Sequence, residues 1–145
     1  MLSGIPPFRL DGYLPEGIHQ ATEAEVTFRF GTQGRRRRRL TLRLRRWIEL
    51  GRAVGATRLL VDGSFVTAKA EPNDLDAVLL VPENFPDLVA QGSEAAVELE
   101  EMFLSRQPEE LFPAEDEAVW RGWCEFFSRT READQRRKGL VEIVL

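Results

Sequence analysis

The sequence predicts a small α/β (α+β) domain, a mixed β-sheet packed with helices, and three observations carry that expectation. An apolar run at Leu59, Leu60 and Val61 leads into Asp62-Gly63-Ser64, and a second run, Val78 to Val81, follows Asp74 and Asp76. Leu40, Leu44, Trp47, Ile48 and Gly51 recur at helical spacing. The segment KGLVEIVL, from Lys138, alternates around Glu142 as a strand does. With 145 residues, 43% of them hydrophobic, the chain suffices for one core and is read as a single domain, 1–145.

Taken in order, residues 1–21 read as an extended N-terminal arm, marked by Pro6, Pro7, Pro15 and Gly17. Thr22 and Glu25 form a capping box for a short helix ending near Gly31. After the loop Thr32 to Gly34 comes the long helix with its Leu40 to Gly51 stripe, with Arg39, Arg43, Arg46 and Glu49 outside the stripe and Gly55 as the stop. The two strands around Gly63 follow. Pro82 to Pro86 interrupts the pattern, and a helix over 93–105 turns Val97, Met102 and Phe103 inward until Pro108. A third strand is expected in Glu109-Glu110-Leu111-Phe112-Pro113. A helix from Glu117 to about Thr130 buries Val119, Trp120, Trp123, Cys124 and Phe127, and the final strand closes the domain.

The chemistry concentrates between residues 61 and 81. On a strand, Asp74 and Asp76 share a face, a spacing suited to a hard divalent cation such as Mg²⁺ or Mn²⁺. Such ions are held by one or two carboxylates and complete their shell with water and substrate phosphates. Gly63 permits a tight turn and close approach of a phosphate, while Ser64 and neighbouring N–H groups donate to its oxygens. Thr67 offers another donor, and Lys69 a point charge for the β- or γ-phosphate. The expected occupant is a nucleoside triphosphate with Mg²⁺. Each residue also has a plainer account, since Gly, Ser, Thr and Lys are ordinary in polar turns.

This ordered set resembles the signature of the nucleotidyltransferase superfamily that includes DNA polymerase beta, in its minimal, single-domain form. LPEGIHQAT (14–22), DGSFVTAKAEPNDLD (62–76) and RRKGLVEIVL (136–145) together look like a little-characterised bacterial branch of it. The resemblance implies a nucleotidyltransferase-like fold and transfer of a nucleoside monophosphate from an NTP, with ATP expected, to a hydroxyl on a protein, RNA or small molecule. It also implies a third carboxylate on the next strand, for which Glu110 is nominated, with Glu109 and Glu142 as rivals. Glu110 departs from the family pattern, which has Asp between apolar neighbours. A different class stays open: a weakly catalytic or non-catalytic binding protein, such as the antitoxin partner in a toxin–antitoxin pair.

Net charge is −4 but unevenly placed. Eight arginines fall between Arg35 and Arg46, whereas 94–117 is acidic with Arg106 as its cation, so oppositely charged poles are expected. The Arg35–Arg46 surface suits RNA or an acidic protein partner, a toxin or an acceptor; a solvated helix face is the plainer reading. No apolar run is long enough to span a bilayer and no leader pattern opens the chain, so no membrane partner and a cytoplasmic location are expected. Cys124, the lone cysteine, reads as a packed thiol, which points away from zinc and redox chemistry. His19 is read as a structural residue or a lid over the site. Oligomeric state is not legible.

Overall fold

The computed structural model describes residues 4–105 and 110–145. Strand β1 (Gly17–Ala21) is followed by helices α1 (Glu23–Phe30) and α2 (Arg35–Ala53). Strands β2 (Arg58–Asp62) and β3 (Asp76–Leu80) flank a 3₁₀ turn at Ser64–Val66. Then come α3 (Phe85–Ala90), α4 (Glu94–Ser105), β4 (Glu110–Ala114), α5 (Glu117–Ser128) and β5 (Gly139–Val144). The sheet order is β1-β5-β2-β3-β4. β1 with β5 and β3 with β4 are parallel, while β2 is antiparallel to both its neighbours.

Side-chain alternation divides this sheet into two apolar faces. Leu59, Val61, Ala77, Leu79, Leu111, Val141 and Ile143 face one side, where they join Phe30, Leu44, Trp47, Ile48 and Leu99 from the helices α1, α2 and α4. Leu60, Val78, Phe112, Ala114 and Leu140 face the other, under Trp120 of α5. The mixed α+β architecture and the expected stripe of α2 agree with this: Leu40, Leu44, Trp47, Ile48 and Gly51 are all buried. The capping box is present too, with Thr22 Oγ1 accepting from Glu25 N–H and Glu25 Oε1 accepting from Thr22 N–H. Among the described residues no helix is long and apolar enough to cross a membrane.

Several expectations need correction. The N-terminal arm is partly a strand: β1 adds to the sheet beside β5, because Gly17–Ala21 finds its backbone partners in Gly139–Ile143. In α4 the inward residues are Ala96, Leu99 and Phe103, whereas Val97 and Met102 are only half-buried. Val119 lies on the exposed side of α5. The charged poles are not opposite either, because α2 packs beside α4 and the Arg46 guanidinium lies 2.7 Å from Glu98. Pro108 and Glu109 lie outside the described residues.

Candidate functional site

The site begins where β2 ends. Gly63 has φ +94°, and a Cβ there would meet the Asp74 carbonyl oxygen at 2.8 Å. A side chain is therefore excluded by the returning backbone of Asp74 to Asp76 as well as by conformation. Ser64 then fastens the loop to its far end. Its N–H donates to Asp74 Oδ1 at 2.9 Å, its hydroxyl donates to the same oxygen, and Oγ accepts from the N–H groups of Asn73 and Asp74. Ser64 thus serves Asp74 first, where the sequence suggested a phosphate cradle. Thr67 is similarly engaged, donating to the Ser64 carbonyl at 2.7 Å and accepting from Lys69 N–H.

A residue outside the motif clamps this loop. Arg37 of α2 is buried, and its guanidinium donates to the carbonyls of Phe30, Phe65, Thr67 and Lys69 at 2.5 to 3.1 Å. One of the eight clustered arginines is therefore an internal brace. No local pattern distinguishes it from Arg36 or Arg38, because three of the four carbonyls it serves lie 28 to 32 residues away in sequence.

Register places the acids. Asp62 of β2 pairs with Asp76 of β3, and Asp76 pairs with Glu110 of β4. Cross-strand partners project to one face, so three carboxyl-bearing residues form a row across three strands. Asp74 lies ahead of β3 rather than on it. The electrostatic result is uneven. Burial, then the charges of Asp74, Asp62 and Glu110, push Asp76 up to about 7. Burial opposes ionisation of Asp74 as well, but hydrogen bonds from Ser64 and Asp76 outweigh it and hold Asp74 below the usual carboxylate range. Asp76 therefore keeps its proton to higher pH than Asp74 does.

Burial also raises Asp62, against the pull of Lys138, whose ammonium stands 2.7 Å from Asp62 Oδ1. Asp62 and Lys138 were not singled out as site residues in the sequence. Asp62 carried a signal in its place at the end of the first apolar run, one residue before Gly63. Lys138 carried none, because only the pairing of β5 with β2 brings it there.

These groups form the floor of a cleft of about 780 Å³. Asp62, Asp74, Asp76, Gly63 and Ser64 line it, with Thr67 and Lys69 on one side and Arg129, Arg131 and Lys138 on another. Phe126 and Phe127 of α5 complete a wall. Glu110 is half-buried beside Asp76 but does not line the cleft. Glu142 is held elsewhere, accepting from Arg58 Nε and Nη2 at 2.9 and 3.0 Å beneath α5. It is therefore no rival third carboxylate. His19 is on β1, at the far edge of the sheet, with Nε2 2.7 Å from the Pro15 carbonyl, and it forms no lid. Cys124 is half-buried, and burial raises its thiol.

Among the described residues no three acidic, His or Cys side chains converge on a point as a ready-made metal cage. Two neighbouring carboxyls, one of them raised by the charge of the other, nevertheless fit a divalent cation that keeps much of its shell for water and phosphate, since a cation relieves the repulsion between like charges. No curated protein and no solved structure matches the chain. A family model matches residues 6–144, nearly the whole length, and the chain accordingly belongs to the family of unknown function DUF6932.

Proposed function

We propose that the protein is a Mg²⁺-dependent nucleotidyltransferase of the DNA polymerase beta superfamily, moving a nucleoside monophosphate from an NTP, ATP by expectation, to a hydroxyl. The observation that carries this reading is Asp76, flanked on adjacent strands by Asp62 and Glu110 and lining one cleft with Asp62 and Asp74. Like charges gathered at such a cost to ionisation are a common feature of functional sites. Asp74 and Asp76 hold Mg²⁺ or Mn²⁺ in this reading. A bound ion would polarise the α-phosphate and neutralise the departing pyrophosphate.

The chain's own residues do the rest. Lys69 meets the β- or γ-phosphate as a point charge, and Lys138 keeps Asp62 from adding its full charge to the floor. Gly63, Ser64 and Thr67 fix the loop against which the phosphates lie. The acceptor oxygen attacks the α-phosphorus and the bond to the β-phosphate breaks; Glu110, beside Asp76, is the nominated acceptor of the hydroxyl proton and takes it once its side chain turns into the cleft. Asp76→Asn removes the central carboxylate at nearly constant volume. It is expected to abolish transfer of label from α-³²P-ATP while leaving the circular dichroism spectrum unchanged; undiminished labelling would sink the mechanism.

A second reading has its own support. Ser64 spends its donors on Asp74, and Glu110 stays out of the cleft. Both features suit a domain that binds nucleotide without transferring it, as an antitoxin-like partner would. Calorimetric binding of ATP with Mg²⁺, together with no labelling of any acceptor by the wild type, identifies that case. The exposed arginines of α2 then serve as the docking surface for an acidic protein partner or RNA.

A further inference from the structure

The floor of the cleft is acidic, but one wall is aromatic. Phe112 is nearly buried in the smaller core, and Trp123 lies against it with ring centroids 4.6 Å apart. Trp123 stacks on Phe127 at 5.4 Å, and Phe126 meets both, edge-on to Phe127 at 5.2 Å and to Trp123 at 6.0 Å. Phe126 is the outermost ring and 63% exposed, yet its neighbours hold it in place. An aromatic face fixed at a cleft wall costs little further entropy when a flat ligand stacks on it.

The same cleft contains one side-chain amide, that of Gln135. Gln135 has φ +49°, a left-handed backbone that non-glycine residues adopt infrequently. Its N–H donates to the Glu132 carbonyl, while its carboxamide has no hydrogen-bond partner among the described residues. An amide presents a donor and an acceptor side by side, the complement of the adenine N6 and N7 edge. Arg131, also in the lining, has no carboxylate partner among the described residues.

We infer that this wall is a nucleobase seat: Phe126 stacks on the base, backed by Phe127, and Gln135 bonds to its edge, with adenine the best-matched ring. The inference rests on the reading that the phosphates and cation lie at Asp74 and Asp76. A cleft of about 780 Å³ has room for both ends of one nucleotide. It adds that nucleotide choice is made by α5 and the turn after it, away from the Gly63 to Asp76 motif.

The test compares ATP with inorganic tripolyphosphate, each with Mg²⁺, by titration calorimetry on the whole chain. Wild type is expected to bind ATP roughly tenfold or more tighter than tripolyphosphate, from stacking. In Phe126→Ala the two ligands should come within about threefold, with tripolyphosphate unchanged, and Phe126→Trp should restore the gap. Gln135→Ala should reduce the preference for ATP over UTP. Equal binding of ATP and tripolyphosphate by the wild type overturns the base seat and leaves the phosphate site standing. A gap that survives Phe126→Ala also overturns it, making Phe126 a candidate anchor for a protein. Binding of neither ligand overturns both readings.

Discussion

Arg37 shows how much a single side chain decides at this site. Three loop carbonyls and that of Phe30 at the end of α1 depend on its guanidinium, so Arg37→Met would leave buried acceptors without donors, and Lys has too few donors in the wrong geometry to replace it. We expect a loss of about 3 kcal/mol or more by urea unfolding, and Arg37→Lys should recover only a minor part. Gly63→Ala should also destabilise, by about 2 kcal/mol or more, because strain at positive φ adds to the clash with the Asp74 carbonyl. Asp76 gives the protein a pH dependence of definite sign. Burial and the neighbouring carboxylates raise its pKa to about 7 in the folded state, above its ordinary value of 3.8, so between these values the folded state holds a proton that the unfolded state has lost. Stability from this group therefore falls as pH rises through that window. Urea midpoints measured near pH 5 and pH 8 should show the decline in the wild type, and Asp76→Asn should flatten it; an equal slope in both proteins would refute the assignment. At this scale the sequence was informative about the motif and blind to its supports. Asp74, Asp76, Gly63 and Ser64 are neighbours in sequence, whereas Arg37 and Lys138 reach the site only through tertiary structure.

Among the elements, α1 is fixed at its start by a local cap, whereas α5 is held by residues from distant strands. Thr22→Ala removes the side-chain half of the α1 capping box, the Oγ1 acceptor for Glu25 N–H, while residue 22 keeps its own N–H for Glu25; it should cost about 1 kcal/mol, measured as a lowered unfolding midpoint. The α1 start was legible because a capping box lies within four residues, and the α2 stripe because its periodicity runs over several turns. β1 was not legible: GIHQA alternates weakly, and its strand identity comes from β5, far along the chain. Glu142 could be nominated as a rival third carboxylate for the same reason, since its partner Arg58 lies on a distant strand. That pair also bears on α5. Arg58 lies over the Trp120 ring at 4.6 Å and reaches Glu117, so it ties the helix to the sheet. Glu142→Gln would weaken this tie, whereas Glu142→Ala would also open space beneath the helix. Near-ultraviolet circular dichroism of Trp120 should change more in the second variant.

For the molecule as a whole, charge is managed by adjacency. The acidic floor has a cation from a distant segment, Lys138, set against Asp62, and the arginine-rich helix pairs with acidic neighbours at Glu23 and Glu98. Lys138→Met should make stability fall more steeply with rising pH, because Asp62 then stays protonated to higher pH in the folded state; the same urea midpoints measure it. The two central strands were legible from their apolar runs and the last from its alternation. The order of the sheet was not, because nothing local says that β5 lies between β1 and β2. That placement has a consequence for the order of events during synthesis. A chain emerging from the ribosome makes β1 first and must carry it unpaired until β5 arrives, almost the whole described length later. Until then one edge of β2 is also open to stray partners, and the Asp62 carboxylate awaits its lysine. Closure of the sheet and charge compensation at the cleft should therefore come together, as the last step of folding.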